Sequence, residues 1–165
     1  MTSDHPDSRH QTARSGSDAR RASILKGAVV SGAINALING AIQAFMLRGA
    51  TSIPLSVDSI SAGAHTVFAS AVPLAVSLAV ILTVVAYWTL KTPKKPFVPT
   101  ALWLAIKHGV FAFGAIVAAA VVWQRAFGTV EVSVTTAVFI LGVIAGLVAG
   151  VVNYMTISAI ADDAL

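Results

Sequence analysis

The chain has 165 residues, of which 56% are hydrophobic and only 11% charged, with a mean hydropathy of +0.82. That balance excludes an ordinary water-soluble domain, and the absence of cysteine excludes disulfides, thiolate metal sites, iron–sulfur clusters and thiol nucleophiles together. The net charge of +4 does not point to nucleic acid, because the basic residues stand in the amino-terminal stretch and at the ends of apolar runs rather than on one folded face.

Residues 1–23 are rich in Ser, Asp, His and Arg, with almost nothing apolar to bury, which predicts a disordered cytoplasmic tail. Residues 24–165 are expected to form one transmembrane domain with spans at about residues 26–48, 60–90, 99–125 and 134–160. The first charge-free run, residues 27–47, would measure roughly 31 Å as a helix, about one hydrocarbon thickness. The runs are continuous rather than alternating, and lipid offers no partner to a free backbone group, so helices are the expected spanning form. The expected fold class is all-α: an integral membrane four-helix bundle of two transmembrane hairpins.

Arg9, Arg14, Arg20, Arg21 and Lys26 precede the first span, and Lys91, Lys94 and Lys95 lie between the second and third. The other two connections carry only Arg48 and Arg125. The positive-inside bias therefore places both termini and the middle loop in the cytoplasm, with Trp88, Trp103 and Tyr154 at the inner interface and Trp123 at the outer. Pro93, Pro96 and Pro99 favour an extended connector in the middle loop.

The two outer connections align without gaps, RGATSIPLSV from Arg48 on RAFGTVEVSV from Arg125, which suggests a parallel internal repeat about an axis along the membrane normal. Both segments also alternate with a period of two. They are expected to be short extended segments, either paired as a ribbon or left as irregular loops, with Pro54 keeping any strand at an edge.

In the first span, Ser31, Asn35, Asn39 and Gln43 recur at every fourth position and so share one helix face. Amides near mid-membrane do not face lipid cheaply, so this row points into the bundle or a cavity. Two readings follow: a polar lining for a solute path, or interhelical hydrogen bonding. Beside it run small residues, Gly32, Ala36, Gly40 and Ala44, and the fourth span carries Gly142, Gly146 and Gly150 at the same spacing. These are helix-packing faces, within one chain or between protomers, and Asn153 one turn further on extends the second of them.

Pro73 is expected to kink the second span by freeing the carbonyl of Ala69. His65 and His108 lie toward opposite faces of the membrane and cannot sit trans across one iron, so no haem and no other cofactor is expected. Lys107 beside His108 is read as snorkelling to the inner headgroups, with an anion or proton relay as its alternative. Asp58 and His65 are the nearest approach to an acid–base pair, and the chain is not expected to be an enzyme.

The stretches KGAVVSGAINALINGAIQAF, IPLSVDSI, AIKHGVFAFGAI and AGLVAGVVNYMTI together resemble small four-helix bacterial membrane proteins often labelled as permeases, over nearly all of the chain except the tail. The resemblance implies membrane transport and assigns no residue. The resulting expectation is a small-solute permease or channel-like oligomer, its path lined by Ser31, Asn35, Asn39 and Gln43 with Pro73, Lys107 and His108 assisting. The alternative is a non-catalytic accessory or scaffold subunit. The expected partners are the bilayer and either further copies or another membrane protein.

Overall fold

Length and apolarity make four of these segments into helices, and the computed structural model, which describes residues 6–57, 66–90 and 96–162, contains them in the order expected. The helices are α1 (Pro6–Met46), α2 (Val67–Thr89), α3 (Phe97–Phe127) and α4 (Val134–Asp162). Two short strands, β1 (Ser52–Leu55) and β2 (Val130–Ser133), follow α1 and α3 respectively. Each helix contains a stretch long and apolar enough to cross a bilayer: Asp18–Met46, Val67–Thr89, Phe97–Phe127 and Val134–Ile160. Thr66 caps α2 by accepting a hydrogen bond from the Ala69 amide at 3.2 Å. Val98 departs from helical dihedrals, so the continuous run of α3 begins at Pro99.

α1 runs back from the first span to Pro6, so it has 41 residues and a length of about 60 Å, twice the hydrocarbon thickness. Helix nucleation is costly and propagation is not. The apolar half supplies the nucleus, and Ala13, Ala19, Ala22 and the arginines are good formers on which it can extend. Gly16 and residues 18–21 are exposed along this polar extension.

β1 and β2 pair antiparallel, from Ser52 opposite Ser133 to Leu55 opposite Val130, so the two alternating segments do form a ribbon. Alternation turns Ile53 and Leu55 into the bundle, where they are buried against Val67, Ala71, Ala137 and Leu141. A two-stranded ribbon is marginal alone, and this apolar face anchors it. Polar groups close its rim: the Val57 amide donates to Gln124 Oε1 at 3.4 Å, Gln124 Nε2 donates to Thr129 Oγ1 at 3.2 Å, and Thr129 donates to Ser56 Oγ at 3.2 Å.

Helix neighbours are α1 with α4, α4 with α2, and α2 with α3. The expected pair of sequential hairpins, α1 with α2 and α3 with α4, is therefore not the packing unit. α1 pairs with α4 as α3 pairs with α2, with α2 and α4 in contact between them, the pattern that a pseudo-two-fold exchanging α1 with α3 and α2 with α4 would give. The displacement that carries Arg48 to Arg125 carries Ala28 to Ala105, Gly32 to Gly109 and Gln43 to Ala120, and all six of these inner residues are buried. A second displacement, which allows for the longer β1–α2 connection, carries Val67, Ala71, Ala75 and Ala79 to Ala137, Leu141, Ala145 and Ala149, and all eight are buried. The contacts obey the same rule. A Cβ placed on Gly32 would meet Gly146 and Gly150, and one on Gly109 would meet Val76 and Val80, their counterparts on α2. Corresponding helices run the same way relative to the ribbon, which is the arrangement a parallel repeat would have.

The core is filled at three levels. Ile53, Leu55 and Leu141 fill the ribbon end, Ala75, Ala79, Ala112 and Val152 the middle, and Tyr87, Ala101 and Ile160 the end nearest the Pro-rich loop, where Phe97 meets Tyr87 edge to face at 5.7 Å.

Candidate functional site

The polar row of α1 lies on the side of the helix turned toward the bundle. Gln43 is 7% exposed, Ser31, Asn35 and Asn39 are half-buried, and Leu37 on the opposite side is 75% exposed. Asn35 Nδ2 donates to the Ser31 carbonyl and Asn39 Nδ2 to the Asn35 carbonyl, each at 2.9 Å. The amides thus bond the backbone of their own helix. Each keeps one N–H and its Oδ1 acceptor for another partner.

The neighbouring small residues form the α1–α4 seam within the chain. Cβ atoms built on Gly32 and Gly146 would lie 2.8 Å from Gly146 O and 2.9 Å from Ala36 Cβ, and those on Gly142 and Gly150 would lie 3.2 Å from Ala36 O and 3.3 Å from Ala28 O. Backbone approaches backbone here, which is the packing expected of a small-residue stripe in lipid. Gly40 has open space at its own Cβ and contributes instead by letting Gly142 approach its Cα.

His108 lies inside the bundle. It lies about 14 Å along the helix from Pro99, only 3% exposed, where α2, α3 and α4 meet. Its Nδ1 is 2.8 Å from Thr83 Oγ1 and 3.3 Å from Thr156 Oγ1. Both hydroxyls donate to the carbonyl one turn back, Thr83 to Ala79 and Thr156 to Val152, each at 2.7 Å. Where those protons go to the carbonyls, the two oxygens are left as acceptors for an Nδ1–H of the ring. Nothing in the sequence marked Thr83 and Thr156 as partners. The internal repeat gave one usable signal, because it matches His108 to Ser31, the first member of the polar row.

Lys107 points away from that junction and sets its ammonium 5.5 Å from the centre of the Trp103 ring. No hydrogen bond joins Lys107 to His108 among the described residues. α2 continues through Pro73, which is exposed and lines an apolar groove of about 410 Å³ between α2 and α3. The residues expected to line one path therefore fall on separate helix pairs, the polar row beside α4 and Pro73 and His108 around α2 and α3. Asn153 on α4 matches Thr83 on α2, and its Oδ1 is buried without a hydrogen-bond partner among the described residues, as is Trp123 Nε1. The Asp58–His65 pair and Lys91, Pro93, Lys94 and Lys95 lie outside the described residues.

Two further grooves flank α4, one of about 620 Å³ against α1, walled by apolar side chains and glycines, and one of about 350 Å³ against α3, walled by apolar side chains. They have the chemistry of acyl-chain contacts. Among the described residues no group of three His, Asp or Glu is placed to hold a metal ion.

Compared with known proteins, the chain matches no family model, no curated protein and no solved structure. Its fold therefore defines its class: a multi-pass membrane protein with four spanning helices arranged as a pseudo-symmetric bundle.

Proposed function

We propose that this protein is a non-catalytic, assembly-forming membrane subunit that binds a transmembrane helix of another chain through the polar row of α1. One observation carries the reading: Asn35 and Asn39, near the middle of the apolar stretch of α1, bond α1's own backbone, while the main helix contact of α1 among the described residues is with α4. In hydrocarbon, the remaining donors and acceptors favour a polar helix partner over lipid. Among the described residues, apolar side chains fill the core at three levels, which favours a binding role over a path through one chain.

That closed core also supports a second reading. A small-solute permease would have to conduct between chains, with Ser31, Asn35, Asn39 and Gln43 of neighbouring copies lining the path. Replacing Asn35 and Asn39 together by leucine separates the two. Under the assembly reading the variant folds but loses its co-purifying partner chain; under the permease reading it keeps the assembly and loses solute flux. A variant with assembly and flux both unchanged would contradict both.

In the proposed orientation the ribbon faces outward, and both termini and the Lys/Pro loop lie in the cytoplasm, following the distribution of Lys and Arg. The chain has no cysteine, so single cysteines report position without background. Ala126→Cys beside the ribbon is expected to react with a membrane-impermeant maleimide on intact cells, and Pro96→Cys only after lysis. The reverse pattern would invert the topology.

A further inference from the structure

We propose that the helix bound by α1 is the α1 of a second copy of this chain, paired in parallel about a two-fold axis along the membrane normal; this rests on the reading of α1 as a binding face.

Ser31, Asn35, Ile38, Ile42 and Phe45 recur at alternating steps of four and three, the spacing of a left-handed helix–helix seam. They occupy one flank of α1, beside the stripe that meets α4. Ser31 and Asn35 are half-buried, and Ile38, Ile42 and Phe45 are 52%, 48% and 65% exposed. A ridge of this kind, with one amide set among apolar residues, is the pattern by which a polar side chain fixes register and a two-stranded state.

The chemistry of the amide selects the partner. After Nδ2 has bonded the Ser31 carbonyl, Asn35 keeps one donor and one acceptor. Two copies in one membrane share an orientation, so a two-fold along the normal sets Asn35 against Asn35 of the other copy at the same depth. Donor and acceptor then meet acceptor and donor, and the self-complementary requirement of a two-fold interface is met without any further residue. A foreign helix would have to carry a matching polar group at that depth, and a lipid chain carries none. The fold already contains the same solution, since α2 and α4 pack in parallel across the internal pseudo-two-fold.

Cysteine cross-linking of the full chain in native membranes tests this. Ile38→Cys places the thiol on the seam, and Leu37→Cys places it on the neighbouring lipid face, 75% exposed. With a mild oxidant, Ile38→Cys is expected to give a band at twice the chain mass, at least ten times stronger than Leu37→Cys. Adding Asn35→Leu to Ile38→Cys is expected to weaken that band about three- to tenfold, the range of an interhelical hydrogen bond in lipid. A band shared with a protein of another mass would overturn the second copy as partner while leaving the proposed function standing. Equal dimer bands at positions 37 and 38 would overturn the seam. With a short bifunctional thiol–amine cross-linker as the second probe, absence of any adduct at position 38 would overturn both.

Discussion

Gly146→Leu is expected to detach α1 from α4, at a cost of about 3 kcal/mol or more, the upper end of what overpacking a tight contact incurs. A single Cβ at this position already stands 2.9 Å from Ala36 Cβ and 3.0 Å from the Gly32 carbonyl, and the remaining leucine carbons would have to enter backbone that has no rotamer by which to yield. α1 would stay in the membrane as a helix, since its backbone bonds are internal, but it would lose its docking face. Thermal unfolding in lipid particles, or loss of an engineered α1–α4 disulfide, reads the effect. Gly40→Ala is the internal control. Its Cβ meets open space, so stability within about 0.5 kcal/mol of the parent is expected. Similar losses for the two variants would refute the seam.

The second large effect is at His108. Removing the ring by His108→Ala leaves two hydroxyl oxygens without their shared donor and opens a void between three helices, for which about 2–4 kcal/mol is expected. Thr83→Val with Thr156→Val attacks the same cluster from the other side. It strands a buried N–H and should cost about 1–3 kcal/mol with little change of shape. Because all three side chains form one network, combining the changes should cost clearly less than their sum. Additive losses would show that His108 is held by packing alone. The cluster ties α3 to both central helices, so flux or assembly should follow stability in these variants rather than change independently.

Most of the fold was legible in the residues, for identifiable reasons. Continuous apolar runs in a chain without enough polar surface leave little besides helices, and the alternation of Ser52-Ile53-Pro54-Leu55 and Thr129-Val130-Glu131-Val132 marks two strands whose apolar faces need burial. The stripe of Gly32 and Gly146 announces a close helix pair without saying which two helices form it. Chain order suggested hairpins, and the duplicated architecture overrode it, because a two-fold places α2 and α4 at the centre and leaves α1 and α3 on opposite flanks. Composition measures what a segment can bury, so it does not mark residues 6–23 as an extension of a helix already nucleated by its neighbour.

The site was less legible. Four polar residues at one spacing fix a face of α1, but where that face points depends on packing that spacing does not encode. His108 followed an apolar stretch a few residues into its span and so looked interfacial. Its burial follows from two threonines on helices distant in sequence. Lys107, one residue earlier, turns about 100° around the helix to the lipid side, so neighbours in sequence have opposite environments.

The most direct measurement is the mass of the intact protein released from its native membrane in a lipid particle, wild type beside Asn35→Leu/Asn39→Leu. An assembly of more than one chain for the wild type, shifting toward the single chain of 17.0 kDa in a variant that still melts cooperatively, is the predicted result. A wild-type protein that leaves the membrane as a single chain, or a variant whose assembly is unchanged, would contradict the assignment of the α1 polar row as a binding face.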